Sequence, residues 1–408
     1  MKKLSVVLLI CLVIFSVFSV FNIRFLSRLD DRKIFTLSEK IEQSFKKESF
    51  KLLGQVYDDT SIIGWIHNSI YYSFTMKDDK YIYRYYPETG KKEEIFHEKS
   101  IADFGIINTR DEKKIMVNCK NRNTLERIFF MEEKLEKGDY HYDVIDESNK
   151  CFFEMYDILT KRRERLFEYT IKTNAVKDDY MGESLSNNYL MYYLEEDNLY
   201  TFIKYDINTK VSKSYEISLK ENANDIDAYF EKAEISSDGK TIWAIKVKED
   251  SNKSKSTEKN LCKIDLNKKD VVPEYVTSDV DAYTITSDDR YIIYEKSSET
   301  NKDTRELVCL DALSEKEYLI DAEIIDKGYD LSPSGTKIAY LVKDRDIAKL
   351  YIKDIGDKNS EGRLIYSFSD FNRLDCIDFG SDNKSVFISY LPNETKKEGA
   401  YQMCLIKL

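Results

Sequence analysis

The chain of 408 residues holds only three histidines, His67, His97 and His141, and they fall at no metal-ligand spacing. Its seven cysteines include no Cys-x-x-Cys pair. A Gly-x-Ser-x-Gly elbow is missing, which removes the sequence signature of an α/β-hydrolase nucleophile. Basic excess is missing as well: 63 Lys and Arg against 74 Asp and Glu leave a net charge of −11, whereas duplex binders carry a basic footprint, so nucleic acid is not an expected partner. Carboxylates are too abundant for any pair to be singled out as acid and base, so no catalytic, cofactor-binding or metal-binding residue is assigned.

Proline is scarce too, at 4 residues, while 30 tyrosines and 21 phenylalanines join β-branched residues in short apolar runs. That balance suits strands buried on both faces. Between the runs a polar turn recurs. Its clearest copies are Ser236-Ser237-Asp238-Gly239-Lys240, Thr286-Ser287-Asp288-Asp289-Arg290, Ser332-Pro333-Ser334-Gly335-Thr336 and Gly380-Ser381-Asp382-Asn383-Lys384. Positions 238, 288, 334 and 382 are 50, 46 and 48 residues apart, and looser copies near Asn68, Asp111 and Asn188 bring the turns to seven. A period of this size marks stacked supersecondary units, and units made of strands alone form β-propellers.

Each pair of runs is followed by a third ending in a reversal, as at Tyr205-Asp206-Ile207-Asn208-Thr209, Ile264-Asp265-Leu266-Asn267-Lys268 and Leu310-Asp311-Ala312-Leu313-Ser314. Asp and Asn suit such reversals because their side chains bond the local backbone. A fourth run comes next, so each unit reads as strands a, b, c and d. The chain ends after strand c of the last unit, Tyr401–Ile406, and the spare run Phe50–Val56 is expected to supply its missing fourth strand. Cys262 and Cys404 take the same place on strand c of their units, as ordinary core thiols would. The expected fold is all-β: a seven-bladed β-propeller of four-stranded blades over residues 47–408, preceded by one N-terminal transmembrane helix.

The Ser-x-Asp-Gly-Lys-x-Ile pattern resembles the repeat of TolB-like and dipeptidyl-peptidase-like (WD40-like) β-propellers, with residues 236–244, 287–294 and 332–340 matching and the first three units matching poorly. The resemblance implies the propeller fold and no particular reaction.

Residues 4–21 carry no charge, and with Asn22 and Ile23 they reach the length that spans a bilayer. Residues 1–23 are therefore expected to form a signal anchor. A cleaved signal peptide is the alternative, although Val17-Phe18-Ser19 lacks the small-x-small form, and Ile10 before Cys11 does not suit a lipobox. Residues 24–46 form a juxtamembrane stalk, partly helical. The Lys2-Lys3 start favours the propeller outside the cytoplasm, while Arg24, Arg28, Arg32 and Lys33 weigh the other way.

One unit departs from the repeat. The two turns that bracket strands b and c are 19 residues apart in the first unit and 18 in the third, but 46 in the second. An insertion at about 120–147 results, carrying Phe129, Phe130, Tyr140, His141 and Tyr142, an interface-like mixture that makes these five the candidate partner-binding residues. A second excursion, Lys248 to Asn260, reads as a flexible Ser/Lys/Glu-rich loop. Function is expected to be that of a membrane-tethered extracytoplasmic propeller that binds a protein partner or acts as a scaffold. A sensory or regulatory ectodomain and a glycan- or peptide-acting enzyme stay open.

Overall fold

The computed structural model describes residues 50–56, 60–66, 69–76, 79–98, 101–108, 114–121, 150–158, 160–170, 180–196, 199–219, 228–249, 257–297, 304–344, 347–393 and 401–408. They form 27 strands. β1 (Phe50–Val56) precedes β2–β5 (Thr60–Ile66, Ser69–Met76, Asp79–Tyr86, Lys91–Glu98) and β6–β9 (Ile101–Asn108, Lys114–Asn121, Lys150–Asp157, Arg163–Thr170). Then come β10–β13 (Tyr180–Leu185, Tyr189–Glu196, Leu199–Asp206, Ser212–Ser218) and β14–β17 (Ala228–Ile235, Thr241–Glu249, Thr257–Asp265, Pro273–Ser278). β18–β24 (Val280–Ile285, Tyr291–Ser297, Arg305–Asp311, Lys316–Leu331, Lys337–Asp344, Ile347–Asp354, Arg363–Phe368) and β25–β27 (Arg373–Phe379, Ser385–Leu391, Tyr401–Lys407) complete the chain.

The strands build a β-propeller of antiparallel meanders. Five sheets have four strands, ordered β2-β3-β4-β5, β6-β7-β8-β9, β10-β11-β12-β13, β14-β15-β16-β17 and β1-β27-β26-β25. The sixth has seven, β18 to β24 in sequence order. The expectation of seven separate four-stranded sheets is thereby corrected, and the cause is β21. Its first half pairs with β20 from Lys316 to Ile324 and its second half with β22 from Ile324 to Leu331, so one 16-residue strand ends one meander and starts the next. Ile320 and Ile324 are buried through the junction, while the backbone between Ile324 and Tyr329 is irregular.

β1 takes the outer place beside β27, with Leu52 opposite Cys404 and Val56 opposite Tyr401. An N-terminal strand thus completes the C-terminal sheet and covers an edge that would otherwise be open to another chain. Second strands are the most buried of their sheets: Ser385 to Tyr390 are all buried. Fourth strands face water and alternate, as in β13, where Tyr215 and Ile217 are buried between exposed neighbours. The third-strand thiols Cys262 and Cys404 are both buried, opposite Ala244 and Ile388.

The repeated turns are built by their own side chains. The Ser236 hydroxyl donates to Asp238 Oδ1 at 2.7 Å, Asp238 Oδ1 accepts the Lys240 N–H at 3.0 Å, and Gly239 takes a φ of +67°. In the following copies Asp289 and Asn383 stand at that left-handed position with φ of 58° and 55°. Their side chains reach back one turn: Asp289 Oδ2 accepts the Ser237 N–H at 2.7 Å, and Asn383 Oδ1 accepts the Ser334 N–H at 3.1 Å. At the strand c reversals, Asp206 and Asp311 accept backbone N–H groups of Thr209 and Asn208, and of Ser314 and Leu313, bonds that hold both carboxyls below the usual range.

The segments 1–23 and 24–46 lie outside the described residues. Among the described residues no helix is long and apolar enough to cross a membrane. Both ends of the excursion expected at Lys248 to Asn260 belong to strands, since Lys248 pairs with Glu258 and Glu249 with Thr257, and residues 250–256 lie outside the described residues.

Candidate functional site

The first strands of successive sheets lie against one another, β6 on β10, β10 on β14, β21 on β25 and β25 on β2. Side chains one residue before the end of these strands bond across the gaps. Ser184 Oγ accepts the Ile235 N–H at 3.1 Å, Asp330 Oδ2 accepts the Phe379 N–H at 2.6 Å, and Asp378 Oδ2 accepts the Trp65 N–H. Lys232, paired with Glu234 at 2.6 Å, donates to the Tyr283 carbonyl at 2.6 Å, and the Tyr283 hydroxyl donates to the Trp243 carbonyl at 2.6 Å.

Tyr329, Asp330, Cys376 and Asp378, on first strands, each keep part of their surface open. Desolvation raises both carboxyls, and the charge of Asp330 raises Asp378 further. Their bonds to Phe379 and Trp65 make these aspartates inter-sheet ties. Gly64 leaves room for one of them, since a Cβ there would lie 3.0 Å from Asp378 Oδ2.

A second group of charges gathers where β18 begins, β19 ends and β20 begins. Glu295 is 1% exposed within the apolar run Ile292-Ile293-Tyr294. Its Oε1 accepts the N–H of Lys327, whose φ of 54° falls in the irregular stretch of β21 between Ile324 and Tyr329. Arg305 Nε lies 3.5 Å from Asp281 Oδ2 and 3.4 Å from Asp326 Oδ1. Burial, then the charge of Asp326, pushes the Glu295 carboxyl up to about 7.

A third feature lies on the outer strands. Tyr275, Leu319 and Leu364 are 65%, 52% and 49% exposed. They pair with Cys262, Val308 and Tyr351, each three residues before the aspartate ending its strand, Asp265, Asp311 and Asp354. They are therefore the same position in three consecutive repeats. In the three earlier sheets that register holds Glu94, Arg165 and Ser214.

The candidate residues Phe129, Phe130, Tyr140, His141 and Tyr142 lie outside the described residues, and so does His67. β7 extends to Asn121, so Lys120 belongs to a strand and the long connection starts after it. His97 stacks on Tyr81 with ring centroids 4.3 Å apart. The basic run at Lys161 to Arg163 is occupied by Glu93 and by Glu154, the latter 2.5 Å from Arg163. In the sequence Asp330 and Asp378 each precede the last apolar residue of a first strand, 48 residues apart, and that spacing is the signal that marks them. Glu295 showed itself only as one acidic residue closing an apolar run.

No protein-family model and no curated protein matches the chain. Solved structures share its fold. Oligogalacturonate lyase from Vibrio parahaemolyticus aligns at TM-score 0.52 and 10% identity over 88% of this chain and 96% of that one. A prolyl endopeptidase aligns at TM-score 0.50 and 12% identity over 86% of this chain and 50% of that one, so the chain spans half of that enzyme's length. TolB from Acinetobacter baumannii aligns at TM-score 0.38 and 13% identity over 75% of this chain and 64% of that one. At such identities the likeness defines a class by fold alone, a β-propeller with four-stranded blades.

Proposed function

We propose that this chain is a binding propeller whose rim engages another protein, held at a membrane by residues 1–23 with the propeller outside the cytoplasm. The observation that carries the binding role is the registered set Tyr275, Leu319 and Leu364. The three earlier sheets put Glu94, Arg165 and Ser214 at that position, and large side chains left in water at one register of consecutive repeats gain free energy when a partner covers them. We count the seven-stranded sheet as two blades fused through β21, which with the other five gives seven. The segment between β7 and β8, with Phe129, Phe130, Tyr140, His141 and Tyr142, is a second contact in this reading, because it lengthens one blade only.

The test is crosslinking and pull-down from native membranes with three forms of the full chain: unaltered, Y275S/L319S/L364S, and F129S/F130S/Y142S. Loss of a defined partner from either variant, with an unchanged melting temperature, supports the reading. Equal capture by all three removes it. Protease added to intact cells stripped of their wall should degrade the propeller, and full protection would reverse the orientation.

A further inference from the structure

The turns between first and second strands of successive sheets meet on one face of the ring. The Ser237 N–H donates to Asp289 and the Ser334 N–H to Asn383, each acceptor standing in the next such turn along the chain. Third-strand reversals lie on the same face, because the N–H groups of Ile207, Leu266 and Ala312 donate to the carbonyls of Asn188, Lys240 and Arg290 in those turns. Leu408 donates to the Lys384 carbonyl in the same way, and Phe50 stands opposite Ile406, so β1 starts at this face. The chain coming from residues 1–23 therefore joins the ring there.

Three consecutive reversals on this face hold a large aliphatic side chain in water: Val211, Val272 and Leu313 are 63%, 53% and 83% exposed. The turns do not need them. The Leu313 N–H donates to Asp311 Oδ1 at 3.0 Å, as the N–H groups of Asn208 and Asn267 donate to Asp206 and Asp265 at the equivalent places, so the backbone alone serves. Reversals of the first two sheets are polar at their tips, with Glu88-Thr89-Gly90 and Thr160-Lys161-Arg162.

We propose that this face rests on a bilayer surface, with Val211, Val272 and Leu313 entering the interface; the proposal rests on the reading of residues 1–23 as a membrane anchor. Aliphatic tips gain free energy on leaving water, and Lys213, Lys269 and Lys316, exposed beside them, can lay their stems along the apolar layer with their charges at the lipid phosphates. The tips stand one to a blade with polar turns between them. A fluid surface takes up such separate points, whereas a protein partner gains from continuous area. Three side chains hold a membrane weakly on their own. An anchor in the same chain makes docking intramolecular, at an effective concentration of roughly millimolar order for a short flexible connection.

The experiment reconstitutes the full chain into phosphatidylcholine vesicles containing a phospholipid spin-labelled high on its acyl chain. A fluorescent dye is attached at Val272→Cys, at Leu313→Cys or, on the opposite face, at Ile347→Cys in the hairpin of β22 and β23, with the dye-treated unaltered chain as background. Dye at 272 and 313 should be quenched about twofold or more, since groups docked on a membrane lie ~5–10 Å into the interface, and dye at 347 should not. Equal quenching on both faces, or none at 272 and 313, in vesicles that keep the chain through an alkaline carbonate wash overturns the docking and leaves the anchor standing. If the wash strips the chain, the anchor reading fails, and flotation with the vesicles before the wash decides the docking. Flotation that V211S/V272S/L313S reduces severalfold supports this face as the lipid contact. No flotation, or flotation that the variant leaves unchanged, overturns it.

Discussion

The Asp378 carboxylate accepts the backbone N–H of Trp65, a bond between residues 313 positions apart where the end of the ring meets its beginning. Asp330 makes the same bond to Phe379 one repeat earlier, so closure at this point reuses a tie found between other neighbouring sheets. Both aspartates sit in first strands, where a short acidic side chain can span to the next strand without entering the packed layers between sheets.

Replacing Asp378 by Ala should destabilise the ring by about 1–3 kcal/mol, the cost of leaving a buried N–H without an acceptor. Asp378→Asn keeps an acceptor and should cost less than half as much. Urea unfolding measures both, and equal losses would show that charge matters more than the bond. Gly64→Ala should also destabilise, because its Cβ would meet Asp378 Oδ2 at 3.0 Å.

Asn383→Gly preserves the left-handed φ of 55° but removes the acceptor of the Ser334 N–H, so a loss of about 0.5–1.5 kcal/mol is expected by chemical denaturation. Gly239→Ala should cost more. Its φ is +67°, and its Cβ would lie 2.7 Å from the Tyr189 ring.

Stability should fall as pH rises through neutrality. Glu295 is held near 7 in the fold against an ordinary 4.5, so the folded state binds the extra proton between these values. Its contribution is complete below pH 4.5 and is lost as pH passes 7, at most on the order of 3 kcal/mol. Asp330 and Asp378, also raised, act with the same sign. Melting temperatures from pH 5 to pH 8 should decline in the unaltered chain and decline less in Glu295→Gln. A flat profile in both would contradict the burial argument.

A chain starting at Asp58 lacks β1 and leaves the outer edge of β27 unpaired. It should melt at lower temperature and associate, as seen by light scattering. A peptide of residues 50–56 added in trans should restore part of the difference, and no effect of truncation would remove β1 from the closure.

Much of the architecture was legible because it rests on local chemistry repeated at a fixed interval. Ser236 and Asp238 build their turn from bonds within five residues, and Asp206 and Asp311 do the same at the third-strand reversals. The pairing of Phe50–Val56 with the last strand was also readable, since an incomplete final unit and a spare first strand match in number. The fusion of two meanders through β21 was not, because the mixed run Ile320 to Ile325 carries no turn signal and can pair with either neighbour.

What the residues determined alone is the repeat and its strands, since turn bonding and period-two burial act over short separations. Tertiary structure decided where the unusual charges go. Asp330 and Asp378 are ordinary acidic residues in the sequence; only the convergence of first strands turns them into ties to Phe379 and Trp65. Glu295 ends an apolar run in any reading, and its carboxyl is raised because packing buries it and brings the charge of Asp326 near. Desolvation and charge proximity are properties of packing, and packing joins residues that the chain keeps far apart.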